Sequence, residues 1–389
     1  MVRRLLNRIY PKLKYLVLIV SSLALTPPAQ AQAPRSPTPE PLKGTLKVEN
    51  VARGLEHPWS LAFLPDGRML VTERPGRLRL VSSGGQLSEP LSGVPQVYAR
   101  GQGGLLDVAL SPAFANDRLV YFSYAEAGEG GAGTAVARSR LGERGLENTQ
   151  VIWRQLPKVS GSNHWGSRIV FRSDGTLFVT LGERFSYSDS AQDLSTTLGK
   201  IVRINADGSA PSDNPFVKRA GARPEIWSYG HRNVQAAALH PENGQLWTVE
   251  HGARGGDELN HAEAGKNYGW PVISYGVHYS LFKIGEGTAK EGMEQPVYYW
   301  DPVIAPSGMV FYTGDLFAGW KNDILIGSLT PGLLVRLGLK RGQVAREERY
   351  LGTLRERIRD VRQAPDGSVY LITDARNGQI LRITPADSG

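Results

Sequence analysis

The chain has 389 residues, 41% of them hydrophobic, and 45 glycines, enough to bury a large core and make many tight turns, which excludes a disordered chain. It contains no cysteine, which excludes a disulfide scaffold and thiol-linked lipid attachment. The formal charge of +8 is scattered, without the basic stripe and interleaved aromatics of a nucleic-acid binder, so nucleic acid is excluded as a partner.

At the N-terminus Arg3, Arg4, Arg8, Lys12 and Lys14 precede the apolar run Tyr15 to Leu25, and the small-residue segment AQAQA follows. This pattern predicts a secretory signal peptide over 1–33, cleaved after Ala31 or Ala33. The run is too short for a membrane-spanning helix, which needs roughly 20 residues. An exported chain results, periplasmic or secreted, soluble and without stable membrane insertion after cleavage. Removing those five positive residues takes the formal charge from +8 to about +3.

Residues 34–44 (PRSPTPEPLKG) are rich in proline and polar residues and read as an extended, mobile linker. A single domain is expected over 45–389. Within it one phrase recurs, apolar strand, turn, apolar strand, turn, apolar strand. Its clear copies are LAFLPDGRMLVTERPGRLRLV (61–81), the pair IVFRSDGTLFVTLGE and GKIVRIN (169–205), AAALHPENGQLWTVEHG (236–252) and VRQAPDGSVYLITDARNGQILRIT (361–384). Looser copies lie at 108–126 and 309–329. The pairs Asp66-Gly67, Asp174-Gly175, Asn243-Gly244 and Asp366-Gly367 supply the left-handed backbone of hairpin turns. Six small antiparallel sheets that cannot each bury their faces alone predict an all-β, six-bladed β-propeller of four-stranded blades. TLKVENVA (45–52) is free to pair with the last, three-stranded copy and close the ring. A β-sandwich or solenoid would show shorter, more regular spacing. The inserts 185–198 and 260–305 are expected as loops over one face, where sites are built.

Four segments place chemistry-bearing residues beside glycine turns at the starts of strands. Gln102 lies in ARGQGGLLDVAL (99–110), a weak signal alone. His164, in GSNHWGSRIVF (161–171), sits between small residues and is expected to be accessible; it suits a general base, and on this segment alone it suits a structural histidine as well. Arg232 and Asn233, in WSYGHRN, offer donors to a carbonyl oxygen or oxyanion. In the following GARGGDELN, Asp257 and Glu258 are hard oxygen ligands expected beside turn carbonyls, suited to calcium, and they read equally as a solvated acidic turn. Arg357 and Arg359, in RERIRDV, alternate along an extended segment and form a clamp for carboxylates or phosphates.

Taken in order, RGQGG, NHWGSR, GHRN, EHGARGGDELN with NYGWP, and RIRDVR resemble the soluble pyrroloquinoline quinone (PQQ)-dependent aldose sugar dehydrogenases of the glucose and sorbosone dehydrogenase family. The resemblance implies PQQ and Ca2+ as cofactors, aldose oxidation at the anomeric carbon to the lactone, and electron transfer to an external acceptor. It implies His164 as catalytic base, Arg232 stabilising negative charge on the cofactor, and Gln102, Asn233, Tyr279, Arg357 and Arg359 around cofactor and sugar. Calcium ligands are implied at Gly252, Ala253, Glu258 and Tyr268. Where relatives carry a cofactor-binding lysine, Thr330 stands here, and Ala253 replaces a usual proline. Asn163 and Trp165 flank the base where other residues are common. Two other functions fit the residues: a calcium-dependent sugar lactonase, and a glycan-binding propeller without catalysis, the latter suggested by Thr330.

Overall fold

A computed structural model of the protein describes residues 33–386 apart from 38 and 43–45. The expected signal segment, but for Ala33, lies outside the described residues. Strand β1 (Leu46–Leu55) is followed by six blades. Blade one holds β2 (Pro58–Phe63), β3 (Met69–Glu73) and β4 (Arg77–Val81); blade two holds β5 (Leu105–Leu110), β6 (Leu119–Gly128), β7 (Gly131–Leu141) and β8 (Leu146–Arg154). Blade three is β9 (Gly166–Phe171), β10 (Leu177–Leu181), β11 (Lys200–Ile204) and β12 (Ile226–Tyr229), and blade four is β13 (Val234–Leu239), β14 (Leu246–Glu250), β15 (Asp257–His261) and β16 (Tyr298–Trp300). Blade five is β17 (Pro306–Phe311), β18 (Ile324–Ser328), β19 (Leu334–Lys340) and β20 (Gln343–Tyr350), and blade six is β21 (Ile358–Gln363), β22 (Val369–Thr373) and β23 (Gly378–Pro385).

All pairings within these sheets are antiparallel. β1 pairs with β23, so the last blade takes its fourth strand from the start of the domain and the ring closes without a covalent link. Blade one differs from expectation in having three strands. The innermost strands pack in a cycle, β2 on β5, β5 on β9, β9 on β13, β13 on β17, β17 on β21 and β21 on β2.

The turn glycines behave as the dipeptides require: Gly67, Gly175, Gly244 and Gly367 have φ of +84°, +83°, +68° and +82°. The preceding Asp or Asn accepts the amide two residues on, as Asp366 does from Ser368 at 2.9 Å. Side chains such as Phe122, Val249, Ile326 and Leu371 are then buried between blades, each contributing about 1.5–3 kcal/mol.

Below the site the channel is crossed by charge rather than filled by apolar residues. Asp107 on β5 accepts from Arg168 on β9 (2.8 Å), Arg362 on β21 (3.1 Å) and Ser60 on β2 (2.6 Å), and Arg362 also donates to Asp360 (2.8 Å). Arg168 stacks over Trp59 at 4.5 Å. Four innermost strands are tied across the axis in this way.

The proline-rich lead-in departs from the mobile linker expected. Arg35 and Leu42 bridge to Tyr299 and Tyr350, on the outer strands of blades four and five, with Ser36 N–H donating to Tyr299 O at 2.8 Å. Its non-proline residues keep the amides that an open blade edge can accept.

Candidate active site

In an antiparallel blade the start of the innermost strand and the end of the second strand lie at the same mouth of the channel. The residues lining the larger cavity come from these two positions, whereas Glu258, Tyr268 and Tyr279 of the second region do not. Gln102, His164, Arg232 and Arg357 precede β5, β9, β13 and β21; Arg74, Glu183, His251 and Asp374 follow β3, β10, β14 and β22. Between them lies a cavity of about 170 Å³ lined by Arg74, Gln102, Gln235, His251, Arg357 and Arg359, among others.

His164 is held on all sides. Its backbone N–H donates to Gln102 Oε1 (2.9 Å), and its Nδ1 is 2.8 Å from Glu183 Oε2. Phe185 meets the ring edge-on at 5.1 Å. The residue is only 5% exposed, so the expectation of an accessible imidazole is corrected: Glu183 and Phe185 cover it, and Nε2 is the nitrogen without a hydrogen bond among the described residues. Burial holds its pKa below the usual histidine value, against the opposing pull of Glu183.

The backbone here is strained, with positive φ at His164 (+54°), Ser167 (+97°), Arg184 (+67°) and Phe185 (+69°). Arg184 clamps it, donating to the carbonyls of Asn163 (2.9 Å), Gly161 (2.8 Å) and Ala132 (2.6 Å), with its guanidinium over the Trp165 ring. Gly182 has no room for a Cβ, which would lie 2.2 Å from the His164 carbonyl.

The far wall is cationic. Arg359 donates to Asp374 Oδ2 (2.8 Å) and Gln235 Oε1 (3.1 Å). Arg357 is 3.5 Å from the same carboxylate oxygen and donates to Leu329 O at 3.3 Å, with Thr330 Oγ1 at 3.5 Å. Burial opposes ionisation of Asp374, but Arg359, His57 and Arg74 hold its carboxyl well below the usual range.

A second, smaller cavity shares His251 with the first and is lined by Arg232, Glu250, Gly252, Glu258 and Tyr268. Arg232 donates to the carbonyls of His251 (3.3 Å) and Gly252, and to the hydroxyl of the exposed Tyr279 (3.3 Å). Asn233 is buried, its Oδ1 accepting from Gly166 N–H (3.1 Å) and Gln235 (3.2 Å). Asp257 and Glu258 lie on β15 instead of in a turn. Asp257 caps the amides of Gly252 (2.8 Å), Ile304 (2.9 Å) and Ala305 (2.7 Å), so it faces N–H groups and not carbonyls. Burial, and then the charge of Glu250, push the Glu258 carboxyl well above the usual carboxylate range. Tyr268 stacks on His231 at 4.7 Å, and Ala253 is buried, bridging to Gly255.

The structure thus brings Gln102, Arg357 and Arg359 to one cavity, with Thr330 beside Arg357 and His164 joined to it through Gln102, and gathers Arg232, Gly252, Glu258 and Tyr268 at the other. Sequence reasoning missed Glu183, Arg74, Gln235 and Asp374. The repeat itself held a signal for Glu183: His231 and Glu250, in the next blade, pair at 2.9 Å with the same 19-residue separation as His164 and Glu183.

The family model for glucose / sorbosone dehydrogenases matches residues 55–382. The chain belongs to that family. It is 48% identical over 347 residues to the aldose sugar dehydrogenase YliI of Escherichia coli (strain K12), covering 88% of this chain and 93% of that protein. The crystal structure of the soluble aldose sugar dehydrogenase from Escherichia coli in the apo-form superposes with a TM-score of 0.86 at 47% identity, over 88% of this chain and all of that one. The PQQ-bound aldose sugar dehydrogenase from Streptomyces coelicolor gives 0.72 at 30% identity, over 88% and 99%.

Proposed function

We propose that this family member is an exported quinoprotein aldose sugar dehydrogenase, which uses PQQ and Ca2+ to oxidise aldoses at the anomeric carbon to lactones and passes electrons to an external acceptor. The observation that carries the reading is the juxtaposition, through Gln102, of an arginine-rich cavity wall with a histidine whose Nδ1 is held by a carboxylate and whose Nε2 makes no hydrogen bond among the described residues.

The residues fit a tricarboxylate cofactor, because three guanidiniums line a cavity with one carboxylate, Asp374, between them. Arg357 and Arg359 would hold its carboxylates, with Gln102 and Asn233 as polar contacts. Calcium fits Glu258, a buried carboxylate beside Glu250, and would draw further on the backbone of Tyr268, Gly252 and Ala253. A cation at the Gly252 carbonyl would displace the Arg232 guanidinium from it, freeing Arg232 for negative charge nearby. When bound, PQQ supplies a two-electron acceptor polarised by calcium.

His164 Nε2 takes the anomeric hydroxyl proton, and Glu183 fixes the ring and stabilises the imidazolium that forms. Phe185 and Tyr279, stacked at 6.4 Å and both exposed, offer an apolar wall to the sugar ring. Export rests on the N-terminal pattern; no helix among the described residues is long and apolar enough to cross a membrane. A lactonase would leave the arginine wall without a task. Reconstitution tests the proposal: protein with PQQ and calcium reduces an electron-accepting dye when aldoses are added, and PQQ-loaded protein inactive across a broad sugar panel contradicts it.

A further inference from the structure

Arg74 is the unexplained charge of the site. Its main chain is fixed between blades, N–H donating to His57 O (3.1 Å) and the carbonyl accepting from Leu105 N–H (3.0 Å). Gly104, at φ +143°, leaves space for the stem: a Cβ there would lie 1.9 Å from the Arg74 carbonyl and 2.6 Å from its Cγ. The guanidinium lines the same cavity as Arg357 and Arg359. Each of those two has Asp374 and a second polar partner, whereas the Arg74 side chain makes no hydrogen bond and no ion pair within 4 Å among the described residues. Burial lowers its pKa, with Asp374 opposing and Arg359 and Arg357 adding repulsion. The one carboxylate close to the wall is already shared by His57, Arg357 and Arg359. A partly buried cation in that position carries a desolvation cost that an incoming anion offsets.

We propose that Arg74 is the third cationic anchor of the cofactor's carboxylates, with Arg357 and Arg359, and that it stands in for the ionic contact missing at Thr330. The inference rests on the proposed use of PQQ and adds a ligand from blade one, on the opposite side of Arg359 from Thr330 along the chain order of the ring. A guanidinium makes two parallel hydrogen bonds to a carboxylate where an ammonium makes a point contact, so the replacement changes geometry as well as position.

The test is equilibrium binding of PQQ to apo protein with calcium present, followed by tryptophan fluorescence quenching and requiring no turnover. Wild type, Arg74→Gln, Thr330→Lys and the double variant are compared, with thermal melts to establish folding. Arg74→Gln is expected to bind at least tenfold more weakly, and Thr330→Lys to restore much of that loss. Arg74→Met, which keeps the stem packed on Gly104, is the second neutral variant should Arg74→Gln not fold. Folded neutral variants that bind PQQ within twofold of wild type overturn the role of Arg74. A double variant no tighter than Arg74→Gln overturns its link to Thr330. Failure of wild type itself to bind PQQ is a different result, and it contradicts the proposed function instead.

Discussion

Glu183 Oε2 lies 2.8 Å from His164 Nδ1 and also accepts the Phe185 backbone N–H, so one carboxylate fixes both the imidazole and the aromatic ring that covers it. Its Oε1 is buried without a hydrogen-bond partner among the described residues. Such a carboxylate selects the tautomer with Nδ1 protonated and leaves Nε2 as the acceptor.

Glu183→Gln therefore lowers kcat by roughly 10²-fold or more, by analogy with the cost of neutralising the carboxylate in other histidine–carboxylate pairs. The pH profile moves as well. Burial already holds the His164 pKa down and Glu183 opposes that shift, so removing the charge lowers it further. The acid limb of kcat/KM, where the base becomes protonated, moves to lower pH in the variant. An unchanged limb with unchanged kcat contradicts the pairing.

His164→Gln keeps a polar side chain at the positive-φ position but offers no base. It retains PQQ binding and loses turnover by about 10²–10⁴-fold, the usual contribution of a positioned base. Stopped-flow reduction of the bound cofactor by aldose separates the two effects.

Asp107 holds Arg168, Arg362 and Ser60 across the axis, and a neutral, shorter residue leaves the buried Arg168 and half-buried Arg362 guanidiniums with Asp360 as their one shared carboxylate among the described residues. Asp107→Ala is expected to cost about 3–5 kcal/mol in urea unfolding. A loss under ~1 kcal/mol, the scale of an exposed ion pair, shows that the channel charges are not holding the blades together.

Calcium binding to the folded protein raises its stability by about 2.7 kcal/mol at a hundred times Kd, and chelation removes that increment. Glu258→Gln removes the cost of keeping a carboxyl protonated by burial and by Glu250 in the metal-free protein at neutral pH, raising its melting temperature while abolishing most of the calcium-dependent increase. Equal calcium responses in variant and wild type place the ion elsewhere.

The fold was legible because the strand-turn-strand phrase recurs six times, four of them around an Asp-Gly or Asn-Gly turn, and TLKVENVA read as a spare strand that pairs with the last blade. Gln102, Arg357 and Arg359 were legible for a related reason, since polar residues at the start of an apolar innermost strand face the channel mouth. Glu183, Asp374 and Arg74 were harder to see. They end second strands, and charge at a strand end looks in sequence like an ordinary solvated turn; only the ring geometry brings those ends to the axis. The axial ion pairs of Asp107, Arg168 and Arg362 were illegible for the same reason, being long-range contacts between strands of different blades. His164 was found by its neighbours in sequence, but its burial was not, because Glu183 and Phe185 arrive 19 and 21 residues later.

The most direct measurement is the absorption spectrum of the PQQ-loaded, calcium-containing protein before and after aldose addition, with His164→Gln alongside. The wild-type spectrum is expected to change to that of the reduced cofactor within the mixing time, and the variant to bind PQQ and stay oxidised. Bound PQQ that no aldose reduces in wild type, or that aldose reduces at the same rate in both proteins, contradicts the assignment of His164 as the base of a sugar-oxidising quinoprotein.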